Sequence, residues 1–463
     1  MTTLEKNSKL TDEEILALAD EYCSHGDTVY YDKVPTVFTN CEGTFMYDSN
    51  ETPYLDLQMM FASCNLGYKN KRISDAVIDQ INTLPQICPR YLYDYKTLLA
   101  EKLVKANIKR FETKGRVQFN VGGSQANEDA LKLIRNYTKK QRMFSFFGAY
   151  HGRTMGAACL TTGYRYREPF GHFGDEAHFV PYPYCYRCPY GKNCGDCDHY
   201  CVKQLRREFE DGCSGLYNFG TKSAECAAFF VEPVQGSGGY IVPPKGYFKE
   251  LKKVLDDFGV LFVSDEVQMG FYRTGKLWSI EHFGVTPDVI TFGKSLTNGL
   301  NPLAGMWAKE EMINPQVWPA GRTHSTFCNN PIGTRAGYEV MSVFEEEDFE
   351  TMVKEKGEYF LDGLKYLEKK HKRIGTVDGL GLALRIECVT DDGYTPDPKL
   401  RDLIAQEGCK GNLTYKGNKC GLILNTGSHY KNSFTLVPPL TISYPEIEMA
   451  VDLIDQLFTR FES

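Results

Sequence analysis

The chain has 463 residues, a net charge of −7, 24% Lys, Arg, Asp and Glu, and sixteen cysteines. That length suits a two-domain soluble protein with a sizeable core, and the absence of a basic block argues against nucleic acid or an anionic membrane as partner. No apolar run approaches the ~20 residues of a spanning helix. The acid-bearing N-terminus, MTTLEKNSKLTDEEILALADEYC, lacks the apolar stretch of a secretory signal. A cytoplasmic location is expected, with the cysteines as reduced thiols.

In chain order, Thr11 and Glu14 read as a capping box opening a short amphipathic helix. Val37–Asn40 and Thr44–Tyr47 are strand-like pieces around a Glu-Gly turn, followed by Tyr54–Leu57 and Met59-Met60-Phe61. Val117–Val121 reads as a strand, then Gly122-Gly123-Ser124-Gln125-Ala126-Asn127-Glu128 lead into a helix to about Gln141. Glycines between a strand and a helix N-terminus expose backbone N–H groups to an anion, and the helix dipole adds to the attraction. The strand Met143–Phe147 ends in Gly148-Ala149-Tyr150-His151-Gly152-Arg153, and an aromatic side chain there can stack on a flat ring. Cys185, Cys188, Cys194, Cys197 and Cys201 form two CxxC pairs and one further thiol. Such spacing suits zinc or an iron–sulfur cluster, but structural zinc sites separate their pairs further, and a free-thiol loop is the expected reading. Ala227–Val231 is a buried strand ending at Glu232, and Gly259 stops a helix over Gly246–Phe258.

Val260–Val263 and Val289–Phe292 have the length and β-branched content of buried parallel strands. They end in Ser264-Asp265-Glu266 and Gly293-Lys294-Ser295. Ligands of open α/β sheets bind at the carboxyl ends of strands, so Asp265 and Lys294 are expected in one crevice. Leu303–Ala308 is a further strand, a helix starts near Gly333, and a turn at Val377-Asp378-Gly379 precedes the strand Leu382–Ile386. Ser443 and Glu446 cap a final helix.

A lysine amine for a Schiff base and a carboxylate to keep a pyridine nitrogen protonated are what pyridoxal 5'-phosphate (PLP) chemistry requires. In Asp265-Glu266-Val267-Gln268-Met269-Gly270 and Thr291-Phe292-Gly293-Lys294-Ser295 the sequence resembles the class III (ω-amino acid) aminotransferases of PLP fold type I. Their 4-aminobutyrate, taurine and diamine members are the models, and the resemblance runs from about residue 30 to the C-terminus. It implies an α/β fold in which a large domain (71–332) has a mostly parallel central sheet flanked by helices. A smaller α+β domain is built from both termini, with 1–70 joining 333–463. It implies PLP as cofactor, Lys294 and Asp265 as catalytic residues, and Gly123, Ser124, Tyr150 and Gln268 around the cofactor. Thr326 would bind the phosphate of the neighbouring subunit's cofactor, which implies a homodimer or a tetramer built from it. Arg153 would grip a substrate carboxylate, and Glu232 would pair with an arginine when an ω-amine is bound. Met60 and Phe61 would line the pocket, plain core packing being the alternative. The implied reaction moves the amino group of 4-aminobutyrate, β-alanine, taurine or a similar amine to 2-oxoglutarate or pyruvate. No metal is implied.

The sequence departs from the family's pattern at Val121, Gly122 and Gln125 in the phosphate cup, and at Cys328 and Asn329 beyond Thr326. Thr435 stands where the family carries the arginine for the α-carboxylate, and a hydroxyl cannot form that bidentate charge-assisted pair. Three readings follow. Arg153 holds the keto-acid, the acceptor is pyruvate or an aldehyde, or the reaction is the decarboxylation, epimerisation or phospho-lyase chemistry of other class III relatives. A metal- or redox-binding role for Cys185–Cys201 is a separate alternative.

Overall fold

Segments between Gly115 and Lys309 assemble into one seven-stranded sheet in a computed structural model that describes residues 10–24, 26, 36–167, 170 and 177–462. The strand order is Gly115–Asn120, Ala304–Lys309, Val289–Phe292, Leu261–Asp265, Cys226–Val231, Arg142–Phe146, His178–Val180. Ala304–Lys309 runs antiparallel to both neighbours, and every other pairing is parallel. Cys226–Val231 and Val289–Phe292 are buried at every position, which is why their sequences are apolar almost throughout, Thr291 excepted, instead of alternating. Phe229, Val231 and Phe262 join one apolar cluster, while Ala228, Phe230 and Val263 join another. The pleat thus feeds a core on each side of the sheet.

The helix Tyr247–Phe258 buries Phe248, Leu251, Val254 and Leu255, and Gly246 and Gly259 bracket it at φ +86° and +69°. The helix Gly123–Thr138 stops three positions before the expected Gln141, capped by a left-handed Lys139. The capping boxes at Thr11/Glu14 and Ser443/Glu446 both form. The first nine residues of the N-terminal stretch lie outside the described residues.

Two smaller sheets bring the chain ends together. Ile374–Leu380, Ala383–Cys388, Ser433–Leu436 and Asn425–Gly427 form a four-stranded antiparallel sheet. Phe38–Glu42, Phe45–Asp48, Pro53–Asp56, Asn418–Ile423 and Leu413–Tyr415 form a five-stranded one. There Pro53–Asp56 pairs parallel with Asn418–Ile423, and Gln58 Nε2 reaches Asn425 Oδ1, 367 positions later, at 3.3 Å.

Two expectations are corrected. Val377-Asp378-Gly379 lies inside the strand Ile374–Leu380, and the reversal falls at Gly381, φ +59°. Gly379 serves a close approach and not a turn: a Cβ there would lie 2.5 Å from the Ala383 carbonyl oxygen. Cys185 and Cys194 are paired as a disulfide, their Cα atoms 5.5 Å apart. The short helical turn Cys185–Arg187 and the turns after it fold the segment back on itself, within the span a disulfide bridges. Among the described residues no group of three or more His, Cys, Asp or Glu is placed to hold a metal ion, and no helix is long and apolar enough to cross a membrane.

Candidate active site

Asp265 pairs in parallel register with Thr291, so the two central strands end level and present Asp265 and Lys294 at the same sheet end. Asp265 is 5% exposed. Its Oδ2 accepts from Asn127 Nδ2 at 2.8 Å and meets His151 Nδ1 at 2.7 Å, while its Oδ1 accepts the Val267 N–H at 3.0 Å. Burial works to raise the Asp265 pKa, but His151 and Asn127 outweigh it and hold the carboxyl below its usual range. Burial likewise opposes charge on His151, and the Asp265 carboxylate overcomes it, leaving the imidazole above its ordinary value. Both shifts favour a buried ion pair, His151 protonated and Asp265 ionised.

Lys294 follows Gly293 at the strand end, with its own backbone in the left-handed region, φ +45°. Burial pushes its amine down to about 8, against the pull of Asp265 and Glu232. An amine in that range serves as nucleophile and as base near neutrality. Glu232, at the end of the neighbouring strand, accepts the Tyr150 N–H at 2.8 Å and the Gly236 N–H at 2.9 Å. Backbone groups, not an arginine, hold this carboxylate. Burial raises it to about 7, with His151 opposing.

No side chain caps the helix that starts at Gly123, so its first N–H groups are open to an anion. Two close approaches shape this cup. A Cβ on Gly123 would lie 2.8 Å from Val267 Cγ1, and one on Gly152, at φ +127°, would lie 2.4 Å from Ser124 Oγ. Glu128 is occupied by another segment, its Oε1 accepting the Gly156 and Ala157 N–H groups at 2.8 and 3.0 Å.

Tyr150 is half-buried, its ring edge-on to Tyr166 at 5.2 Å. The exposed Arg153 lies 4.7 Å from the Tyr166 ring and 5.9 Å from that of Tyr150. Gln268 Nε2 donates to the Phe61 carbonyl at 3.4 Å. Met60 and Phe61 are 54% and 43% exposed, within a run Met59–Ala62 entirely at positive φ. They are not core. Thr326 is exposed on its loop, without a side-chain hydrogen bond among the described residues. Thr435 is buried, its hydroxyl accepting from Asn425 Nδ2 at 2.7 Å. His151 and Asn127 were missed by sequence reasoning. Their only signal was position: one follows the aromatic at a strand end, the other lies one turn into the glycine-led helix.

The model of the family "Aminotransferase class-III" matches residues 28–458. The chain belongs to the class-III aminotransferase family. It is a PLP-dependent aminotransferase by that membership, with the fold of type I. The leucine/methionine racemase of Thermococcus litoralis is 33% identical over 430 residues, 92% of this chain and 91% of the racemase. The 4-aminobutyrate aminotransferase GabT of Escherichia coli is 31% identical, covering 92% and 93% of the two chains. Among solved structures, a Bacillus anthracis aminotransferase superposes with a TM-score of 0.84 at 28% identity, over 97% of this chain and 98% of that one.

The aminotransferase's residues fit PLP. The glycine-lined cup at an uncapped helix start suits a phosphate, the buried anionic Asp265 suits a protonated pyridine nitrogen, and Lys294 supplies the amine.

Proposed function

We propose that this aminotransferase moves the amino group of a small ω-amino acid or amine, of the 4-aminobutyrate, β-alanine or taurine type, to a keto-acid such as 2-oxoglutarate or pyruvate. The two half-reactions alternate in a ping-pong sequence, in a cytoplasmic homodimer. The observation that carries the reading is the Lys294 amine at about 8 at the same sheet end as the Asp265–His151 pair. Bound PLP supplies an electron sink conjugated to the substrate carbon. Asp265, kept ionised by His151 and Asn127, would hold a ring nitrogen protonated. The Lys294 amine would anchor the cofactor at rest, then take a proton from the substrate carbon and return it elsewhere as general base and acid. Gly123 and Ser124 would hold the phosphate, with Thr326 reaching across from the neighbouring subunit. Tyr150 would stack on the ring and Gln268 would bond near its edge. Met60, Phe61, Glu232 and Arg153 would surround the substrate, with Arg153 meeting an anionic end at the mouth.

A second reading is interconversion of α-amino-acid stereoisomers by the same lysine. The neutral Thr435–Asn425 pair and the 33% identity to a racemase favour it. The absorbance of the purified protein, recorded as taurine, 4-aminobutyrate, β-alanine and ornithine are added singly, separates the two. Loss of the cofactor's visible band with one amine, restored by a keto-acid, supports transamination. Optical inversion of an α-amino acid with no keto-acid required supports the second reading. No cofactor band after adding PLP, with Lys294→Ala indistinguishable from wild type, overturns both.

A further inference from the structure

The central strands of the four-stranded sheet, Ala383–Cys388 and Ser433–Leu436, are buried on both faces, and the faces differ. Leu384, Ile386, Phe434 and Leu436 join the apolar core. Arg385, Glu387, Ser433, Thr435 and Asn425 occupy the other face, each less than a tenth exposed. The register pairs Thr435 with Arg385 on one side and with Asn425 on the other, so these three side chains stand in one row across the face. That row adjoins the segment leaving Glu232: the Ser428 N–H donates to the Ser237 carbonyl at 3.3 Å, and a Cβ on Gly239 would lie 3.7 Å from Ser433 Oγ.

The two arginines of this polar face are held unequally. One carboxylate, Glu387, serves two buried guanidinium groups: Arg187 Nε donates to Oε2 at 3.0 Å and Arg385 Nη1 to Oε1 at 2.6 Å. Asp378, opposite Arg385 in the register, forms an ion pair with its Nη2 at 3.7 Å, longer than a hydrogen bond. Arg187 has further partners, donating to the Tyr394 carbonyl at 2.8 Å with the rings of Tyr186, Tyr394 and Tyr430 within 5.3 Å. Asn432 Nδ2 also reaches Glu387 Oε2, at 3.3 Å. Glu387 therefore stays satisfied when Arg385 leaves it. Arg385 is the loosely committed cation. Its Nη1 donates to the Tyr184 hydroxyl at 2.6 Å, its plane lies 4.9 Å from that ring, and its Nε has no hydrogen-bond partner. Beside it, Thr435 accepts from Asn425 and keeps its own proton to give. The Tyr240 hydroxyl, on a residue 1% exposed, lies against Thr435 without a well-formed hydrogen bond. A buried guanidinium with an unpaired N–H, as at Arg385 Nε, costs free energy that an anionic acceptor removes.

We propose that Arg385 is the specificity-determining residue for the substrate's carboxylate. It turns from Glu387 towards Thr435, its partner in the register, where the Thr435 and Tyr240 hydroxyls complete the subsite. The guanidinium that recognises the amino or keto-acid is carried by the neighbouring strand, one position across the sheet from Thr435. This rests on the aminotransfer reading above.

The test compares holoenzyme carrying Arg385→Gln with wild type, using pyruvate, 2-oxoglutarate and benzylamine, which has no carboxylate, as half-reaction substrates. Loss of a charge-assisted bond predicts a ~10- to 100-fold fall in kcat/KM for the keto-acids relative to benzylamine, expressed in KM. Adding Thr435→Arg to Arg385→Gln recovers most of that ratio, which a merely structural role for Arg385 would not allow. An unchanged ratio, or an equal loss on benzylamine, overturns the proposal. Where Arg385→Gln does not fold, Arg385→Lys is read in the same way, since a point charge loses the bidentate fork. If wild type transfers to no keto-acid, the aminotransfer reading fails. Arg385 is then judged by calorimetric binding of glutarate, which wild type binds and the variant does not. Equal binding by both overturns it.

Discussion

Removing the His151 imidazole tests how the aspartate at the heart of the site is kept charged. Opposite unit charges at the 2.7 Å separation of His151 and Asp265 attract by about 6 kcal/mol at an effective dielectric of about 20. Most of that offsets the desolvation of both groups. Breaking a buried pair from one side costs about 3–5 kcal/mol. Asn127 and the Val267 N–H still hold Asp265, so His151→Ala belongs at the lower end of that range. The pH dependence is the diagnostic part. The raised His151 value contributes stability that is full below its unfolded pKa of about 6.5 and is lost as pH rises through the folded value. The depressed Asp265 value contributes stability present above about 3.9 and lost as pH falls through the folded value. Urea denaturation of wild type and His151→Ala without cofactor should therefore show the largest gap near pH 5.5, narrowing towards pH 9. A gap of constant size across that range would refute the ion pair.

Glu232→Gln should flatten the pH dependence of stability. The folded value is raised to about 7, so its contribution is full below the ordinary ~4.3 and lost as pH rises through about 7. Denaturation at pH 5 and 8 should differ less in the variant than in wild type, and equal slopes count against the burial argument. Gly152→Ala forces a non-glycine residue to φ +127° and brings a methyl to 2.4 Å from Ser124 Oγ. Strain of about 1–3 kcal/mol at the cup should weaken PLP binding roughly tenfold, read by fluorescence titration. The Cys185–Cys194 link closes a loop of sequence separation 9, a constraint of about 2.5 kcal/mol on chain entropy. Dithiothreitol or Cys194→Ser should lower the thermal midpoint, and a midpoint indifferent to both means the thiols are reduced in solution.

The strand ends were legible because burial on both faces leaves a chemical trace: apolar runs stopping abruptly at Asp265, Lys294 and Glu232. The capping boxes were legible because their partners are three positions apart. What stayed hidden depends on contacts between distant positions. His151 and Asn127 reach Asp265 from 114 and 138 positions away, and nothing local marks them as its holders. Gly379 misled because glycine signals either a turn or a close approach, and only the facing Ala383 carbonyl decides between them. The family pattern showed what is missing at Thr435. The guanidinium one strand over emerges only from the register.

The parallel pairing of Pro53–Asp56 with Asn418–Ile423 also sets a timetable for synthesis. Gln58 waits for Asn425, 367 positions later, which at ~5–20 residues per second is on the order of 20–70 s on the ribosome. Phe45–Asp48 covers one edge of the early strand in that interval, and the other edge stays open to unwanted pairing. The seven-stranded sheet needs nothing beyond Lys309, so it can close while the early strand is still unpaired. A nascent chain stalled after that sheet carries the PLP lysine yet has no partner for its own beginning, and a chaperone that shields strand edges would act in that window.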